Sequence, residues 1–292
     1  MKSYKYKKLN AFTSGNSLGN PAAFLDLGND VLSENEMLNI AKEHKGFVSE
    51  VIFLSRISTK IKLTYYSSEC EVSFCGHGTI ATMYELIKND PELLKSKEIQ
   101  IVTNIKGEIA VYNKILAEDA VYITAPEVIY YGSKIPKKTI ADNLGIKESI
   151  ITESYPVDII DAGLRTLIVP IDKYENEISI YPVQDKLQEF CLTNEIDIIL
   201  IFSKETQNSQ CFAHTRVFAP KFGYLEDPAT GSGNSAFGYY LLKNKLWDGT
   251  MISIEQGSDK MNFNEVKLVN YNNKVLFGGR ASKTIDGIYH VN

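Results

Sequence analysis

Glu226 and Asp227 lead through Pro228 into a run of small residues, Ala229-Thr230-Gly231-Ser232-Gly233, and an apolar helical pattern follows at once. Such a helix start is suited to an anion. Its first N–H groups have no partner inside the helix, its dipole is positive there, and glycine lets a ligand approach the backbone closely. The same device occurs earlier in the chain. Residues 71–87, EVSFCGHGTIATMYELI, overlie residues 226–242, EDPATGSGNSAFGYYLL, at a constant offset of 155. Gly76 and Gly78 meet Gly231 and Gly233, Cys75 meets Thr230, and His77 meets Ser232. Either turn alone also reads as a well-capped helix whose glycines serve packing. Their recurrence at one register points to a duplicated unit.

Around these turns stand groups that could move a proton. Glu50 opens the apolar stretch VIFL, where a partly desolvated carboxylate could take a proton and return it elsewhere; the plainer reading is a surface glutamate at a strand end. His77, between two glycines at a helix start, reads as a neutral ring that hydrogen-bonds to a substrate, or as a structural histidine. Asp227, held extended by Pro228, could orient His77, accept a bond from a substrate amine, or cap its own turn. Ser232 and the N–H groups of Gly76, Gly78, Gly231 and Gly233 are the candidate carboxylate holders, and Thr230 is a candidate for binding or for the helix cap alone. Cys75 reads as small-residue packing or as a second base, since helix starts favour the thiolate.

The elements that must position these groups also repeat. In the first half, PAAFLDL reads as a strand, SENEMLNIAKEH as a helix with Ser33 as N-cap and Glu36 closing a capping box, and EVIFLSRI and IKLTYYS as strands before the glycine turn. In the second half the order recurs: RTLIVPI, the helix VQDKLQEFCLTN, then DIILIFS and QCFAHTRVFAP before the second turn. IQIVTNIKGEIAVYN and VKLVNYNNKVLFGG carry the alternation and turn residues of antiparallel hairpins. The expectation is an α+β protein of two similar domains facing each other. One spans residues 1–120 with about 283–292, the other residues 121–282, with the boundary near AEDAVYITAP.

Composition narrows the function class. A net charge of −5 argues against a general nucleic-acid surface. No apolar run of about 18 residues predicts a spanning helix, and the lysines of MKSYKYKKLNAF lack the apolar stretch of a signal peptide. Cys70, Cys75, Cys191 and Cys211 are too few for a disulfide scaffold and show no CxxC spacing, which suggests a reducing, cytoplasmic setting. His44, His77, His214 and His290 are scattered, so no zinc site is expected, and the G-x-G turns lack the context of a dinucleotide site.

Five segments, in order, resemble motifs of the PhzF-like (phenazine biosynthesis-like) family, which shares the diaminopimelate-epimerase fold: GNPAAF at 19–24, SEVIFL at 49–54, EVSFCGHGTIAT at 71–82, RVFAPKFGYLEDPATGS at 216–232, and EQG at 255–257 followed by Met261. The resemblance implies two pseudo-symmetric domains, each a highly curved, mostly antiparallel sheet around a central helix, with the active site between them. It also implies a homodimer and a cofactor-free isomerase acting on a small carboxylate-bearing substrate, while the charge and the scattered histidines argue against nucleic-acid, membrane and metal partners. The acid/base glutamate of the family falls on Glu50, its helix-start histidine on His77, and its aspartate and serine on Asp227 and Ser232. Racemases of this fold use two facing thiols; here Thr230 stands opposite Cys75, leaving an epimerase that pairs Glu50 with Cys75, or a non-catalytic binding protein, as alternatives. Val51, Ser67, Ser68, Gly233 and Asn234 depart from the pattern, and Asn262 and Phe263 stand where an arginine is expected; these departures bear on the substrate.

Overall fold

The computed structural model of the chain describes residues 2–58, 60–259 and 261–291. No helix among them is long and apolar enough to cross a membrane. The chain divides into two compact units, Met1–Ile123 with Gly278–Asn292, and Thr124–Phe277.

In the first unit, strand Lys2–Ala11 lies antiparallel to Asn20–Gly28 on one side and to Ala281–Val291 on the other. Strand Asn20–Gly28 then pairs in parallel with Val51–Ile57, which turns back antiparallel onto Lys60–Tyr66. The latter pairs antiparallel with the two-residue strand Glu71–Val72 and parallel with Glu98–Thr103, and Gly107–Asn113 closes a hairpin on that strand. A parallel neighbour needs a crossover, and each is supplied by a helix. Glu34–Glu43 makes the first, started by the Ser33–Glu36 capping box read from the sequence. Gly76–Asn89 makes the second. This helix is buried without interruption from Gly78 to Glu85, as befits a helix around which a sheet is wrapped.

The second unit follows the same plan. Strand Asp158–Asp161 is antiparallel to Arg165–Pro170, which is parallel to Ile198–Ser203 across helix Gln184–Thr193. Ala213–Phe218 lies antiparallel to Ile198–Ser203 and to the two-residue strand Glu226–Asp227, and parallel to Ile252–Gln256 across helix Gly231–Lys243. Asn264–Tyr271 completes the series antiparallel to Ile252–Gln256, and the chain then turns at Asn272 and Asn273, both in the left-handed backbone region that asparagine tolerates. Helix Gly231–Lys243 is buried from Gly233 to Leu241.

The architecture is α+β with mixed sheets. Antiparallel pairing predominates, and among the described residues each unit carries a parallel pair on either side of its second hairpin. The two-residue strands Glu71–Val72 and Glu226–Asp227 stand at the same offset as the turns that follow them. Each unit has its own apolar core, built from Leu25, Val51 and Phe53 in the first and from Leu167, Ile199 and Phe218 in the second.

Candidate active site

Glu50 immediately precedes a strand whose first four residues are buried. Its carbonyl accepts the Ala23 amide hydrogen at 3.3 Å, which fixes the strand start against its neighbour. Its side chain leaves the sheet just where the central helix begins. Cys75 stands at the N-cap of that helix in extended backbone, and Sγ accepts the Gly78 amide hydrogen at 3.3 Å. Cys75 is thus the cap, and neither packing nor base chemistry alone describes it. Sulfur in this position satisfies one of the amides that a helix start leaves unpaired. A Cβ on Gly78 would lie 2.8 Å from Cys75 Sγ and 2.7 Å from Ile52 Cδ1, so glycine permits the close approach of strand, thiol and helix.

The three side chains converge. Glu50 Oε2 lies 3.3 Å from His77 Nε2 and 3.6 Å from Cys75 Sγ. Cys75 Sγ lies 3.6 Å from His77 Nδ1 and 3.8 Å from Nε2. The glutamate and histidine side chains remain 21% and 14% exposed, enough to meet a ligand, while Cys75 is buried. Gly76, between thiol and imidazole, forms the first helical residue. Beneath the cluster the Cys75 carbonyl accepts bonds from Thr79 N at 3.0 Å and Thr79 Oγ1 at 2.7 Å, and Tyr65 Oη lies 2.8 Å from Thr79 Oγ1. Burial pushes the Tyr65 phenol far above its ordinary range, so this support stays neutral. Glu50, Cys75 and His77 also present three donor atoms within 4.8 Å of one another, a set that could hold a metal ion.

The second turn is held differently. Thr230 occupies the N-cap position, yet its hydroxyl makes no capping bond; it donates instead to Asp227 Oδ2. The threonine cap anticipated from the sequence is therefore not formed; the Thr230 hydroxyl oxygen accepts from Gln256 Nε2 at 3.1 Å in place of a helix amide. Gln256, fully buried, braces the turn instead. Its Oε1 accepts from Thr230 N at 2.9 Å and from Asn234 Nδ2 at 2.6 Å, and its Nε2 donates to the Asp227 carbonyl at 2.9 Å. Gly231 packs on Phe277, where a Cβ would come within 2.2 Å of the ring. Gly233 faces Ile198, and Ser232 is half-buried on the first turn.

Two residues in this neighbourhood escaped assignment from sequence. Gln256 was visible only as part of a motif, 26 residues from the amide it pairs with. Arg216, wholly buried, holds Glu226 in a bidentate pair at 2.9 and 2.8 Å and gives Nη1 to the Ile180 carbonyl at 2.7 Å. The guanidinium fork matches a carboxylate in this way, and Glu226 in turn fixes the short strand that carries Asp227.

A family model described as phenazine biosynthesis-like protein matches residues 9–287 of the chain. The protein named "Uncharacterized isomerase YfhB" from Bacillus subtilis is 30% identical over 264 residues, spanning 89% of this chain and 88% of that one. An isomerase of Clostridium acetobutylicum, likewise named as uncharacterized, is 27% identical over 84% of this chain and 82% of its own. Among solved structures, the PhzF-family phenazine biosynthesis protein of Bacillus anthracis is similar over the full length of both chains, with a TM-score of 0.85 at 23% identity. The chain belongs to the phenazine biosynthesis-like family and is an isomerase.

Proposed function

We propose that Glu50 is the acid/base of a cofactor-independent isomerisation, taking a proton from a carbon next to an activating group of a small carboxylate-bearing substrate and returning it at another carbon or face. The observation that carries this reading is the placement of the Glu50 carboxylate 3.3 Å from His77 Nε2 at the start of a buried helix. A carboxylate at the lip of an apolar strand can exchange a proton with carbon. His77 on the helix start, with Asp227, can steady the charge that develops, as preorganised groups do. In the first turn the Gly78 amide is already held by Cys75 Sγ, so the amides of Gly76 and His77 are the ones suited to a substrate carboxylate. In the second unit Gly231, Ser232 and Gly233 offer the same kind of anion-binding backbone, with Thr230 and Asp227 at its edge.

A second reading is favoured by one specific contact, the 3.6 Å approach of Cys75 Sγ to Glu50. It makes Cys75 the partner base of an epimerase that removes a proton from one face and delivers it to the other. Proton exchange with heavy water, followed by NMR over a panel of amino, hydroxy and unsaturated carboxylates, separates the two. Under the leading reading deuterium enters carbon with wild type and Cys75→Ser but not with Glu50→Gln. Loss in both variants makes the enzyme a Glu/Cys epimerase. Ligand binding without exchange in the wild type would overturn both readings in favour of a binding protein.

A further inference from the structure

We infer that Gln256 is a positioning residue: by fixing the direction of the Thr230 hydroxyl, it keeps the Asp227 carboxylate a hydrogen-bond acceptor at the candidate site. This role rests on Asp227 being a residue of that site, as proposed above. The direction of each bond follows from which atoms carry hydrogen. A backbone amide can only donate, so the Gln256 side-chain atom 2.9 Å from Thr230 N is its oxygen. A backbone carbonyl can only accept, so the atom 2.9 Å from the Asp227 carbonyl is its nitrogen. These two contacts fix the amide independently, and they agree. Asn234 fits the same assignment: Nδ2 donates to the Thr230 carbonyl at 2.9 Å and to Gln256 Oε1 at 2.6 Å.

The second hydrogen of Gln256 Nε2 goes to Thr230 Oγ1 at 3.1 Å. A hydroxyl has a single hydrogen, and Thr230 turns it to Asp227 Oδ2. Oδ2 therefore receives a hydrogen from the protein and has none to give. The donors run one way, from glutamine to threonine to aspartate, and reversing any of them would leave a buried group unpaired. Threonine at an N-cap ordinarily offers its oxygen to a helix amide; here the glutamine claims that oxygen, and the hydroxyl serves the aspartate instead. The anchor is rigid. Gln256 is fully buried and ends a strand paired on both sides, with Thr215 and with Asn264 as its partners.

Gln256→Glu tests this at nearly constant shape. The ionised carboxylate still accepts from Thr230 N but has no hydrogen for Thr230 Oγ1, which then gives its own hydrogen to the new carboxylate and not to Asp227. A proton bound at low pH restores one donor. The ratio of variant to wild-type deuterium exchange should fall about tenfold in alkaline buffer, the effect of one misdirected hydrogen bond, and recover as pH falls. Thr230→Val removes the hydroxyl outright and should show a like loss at every pH. Combined with it, Gln256→Glu should bring no further pH dependence, because the link it breaks is already gone. A flat ratio for Gln256→Glu overturns the inference. So does a pH dependence that persists beside Thr230→Val, which would trace the effect to the Asp227 carbonyl and the shape of the turn. Circular dichroism over the same pH range verifies the fold; should Gln256→Glu not fold, exchange at the wild-type rate in Thr230→Val overturns the inference by itself. Glu50→Gln is the separate control: if that variant keeps exchanging, the acid/base reading falls while the Gln256 ratios still decide the present one. The hydroxyl is also read without substrate. Wild-type NMR should show a slowly exchanging Thr230 hydroxyl proton in NOE contact with the Gln256 side-chain amide, and its absence overturns the inference whatever the protein turns over.

Discussion

The two helix starts share a backbone plan and differ in what secures them. At the first, the cap is a thiol, and the side chains gathered around it are titratable: Glu50 Oε2 lies 3.6 Å from Cys75 Sγ and 3.3 Å from His77 Nε2. At the second, the turn is braced by a neutral amide on a strand 26 residues on, and Thr230, Asn234 and the Asp227 backbone are bound to that one glutamine. Duplication supplied the same helix start twice, with its unpaired amides and its glycines. The shared glycine turns are thus common to both units, whereas the cluster of carboxylate, thiol and imidazole belongs to the first; on the function proposed above, the proton is moved there. A group that must change its bonding during a reaction is poorly placed in four hydrogen bonds, and Gln256, which braces the second turn, makes four.

The sharpest way to break this comparison is to remove proton transfer from the first turn alone. Glu50→Gln keeps the shape and removes the base. The exchange rate should fall by about 10²- to 10⁴-fold, the contribution of a positioned acid/base group, with the thermal midpoint nearly unchanged. An equal fall on removing Asp227, as Asn, would show that the second turn shares the chemistry and that the asymmetry argued above is wrong.

The next largest effect belongs to the second turn and is one of stability. Gln256→Leu removes the acceptor of the Thr230 amide and the donor to the Asp227 carbonyl. Each buried polar group left unpaired costs about 1–3 kcal/mol, so a loss of roughly 3 kcal/mol is expected in urea denaturation. A loss below about 1 kcal/mol would mean that water replaces the glutamine, since a bridging water serves nearly as well as a direct bond.

Much of this contrast could be anticipated, and what could not has a physical reason. The Ser33–Glu36 capping box is local, three residues apart, and was legible as written. The offset of the two turns was legible because duplicated units keep their spacing, and it carries over to the short strands Glu71–Val72 and Glu226–Asp227. The sequence pattern suggested mostly antiparallel sheets, because hairpins announce themselves through alternation and turn residues. The parallel pairs, such as Ala23 against Val51, depend on where a crossover helix delivers the chain, and no local signal records it. Cys75 escaped assignment as a cap because side-chain oxygens are the usual capping groups. Thr230 has the right oxygen, but that oxygen accepts from the distant Gln256 side chain. Gln256 and Arg216 act across tens of residues, through packing alone.

The glycines give a smaller and more diagnostic pair of effects. Gly231→Ala puts a methyl 2.2 Å from the Phe277 ring, which is rigid and surrounded, whereas Gly78→Ala meets the mobile end of Ile52 at 2.7 Å and the thiol at 2.8 Å. Overpacking of this sort costs about 1–3 kcal/mol, and Gly231→Ala should lie near the top of that range. Gly78→Ala should be the milder of the two in stability and the more severe in exchange, because its methyl pushes on the turn that carries His77 beside Glu50. The reverse order, read by denaturation and by deuterium exchange in the same preparations, would show that the tightly packed turn is the reactive one.

The smallest effect expected is that of Cys75→Ser. Serine is a favoured N-cap, so its hydroxyl can take over the Gly78 amide that sulfur now accepts at 3.3 Å, and stability should move by only a few tenths of a kcal/mol, within the range of well-tolerated cap exchanges. If Glu50 alone moves the proton, exchange stays within about tenfold of wild type, well short of the loss that follows removal of an acid/base group. If the thiol is the second base, serine is too weak an acid to replace it and exchange collapses while the cap, and hence the melting temperature, is retained. Stability and rate therefore part company only when sulfur is chemically engaged. That separation isolates the thiol, which the counterpart turn, with Thr230 in the same place, does not possess.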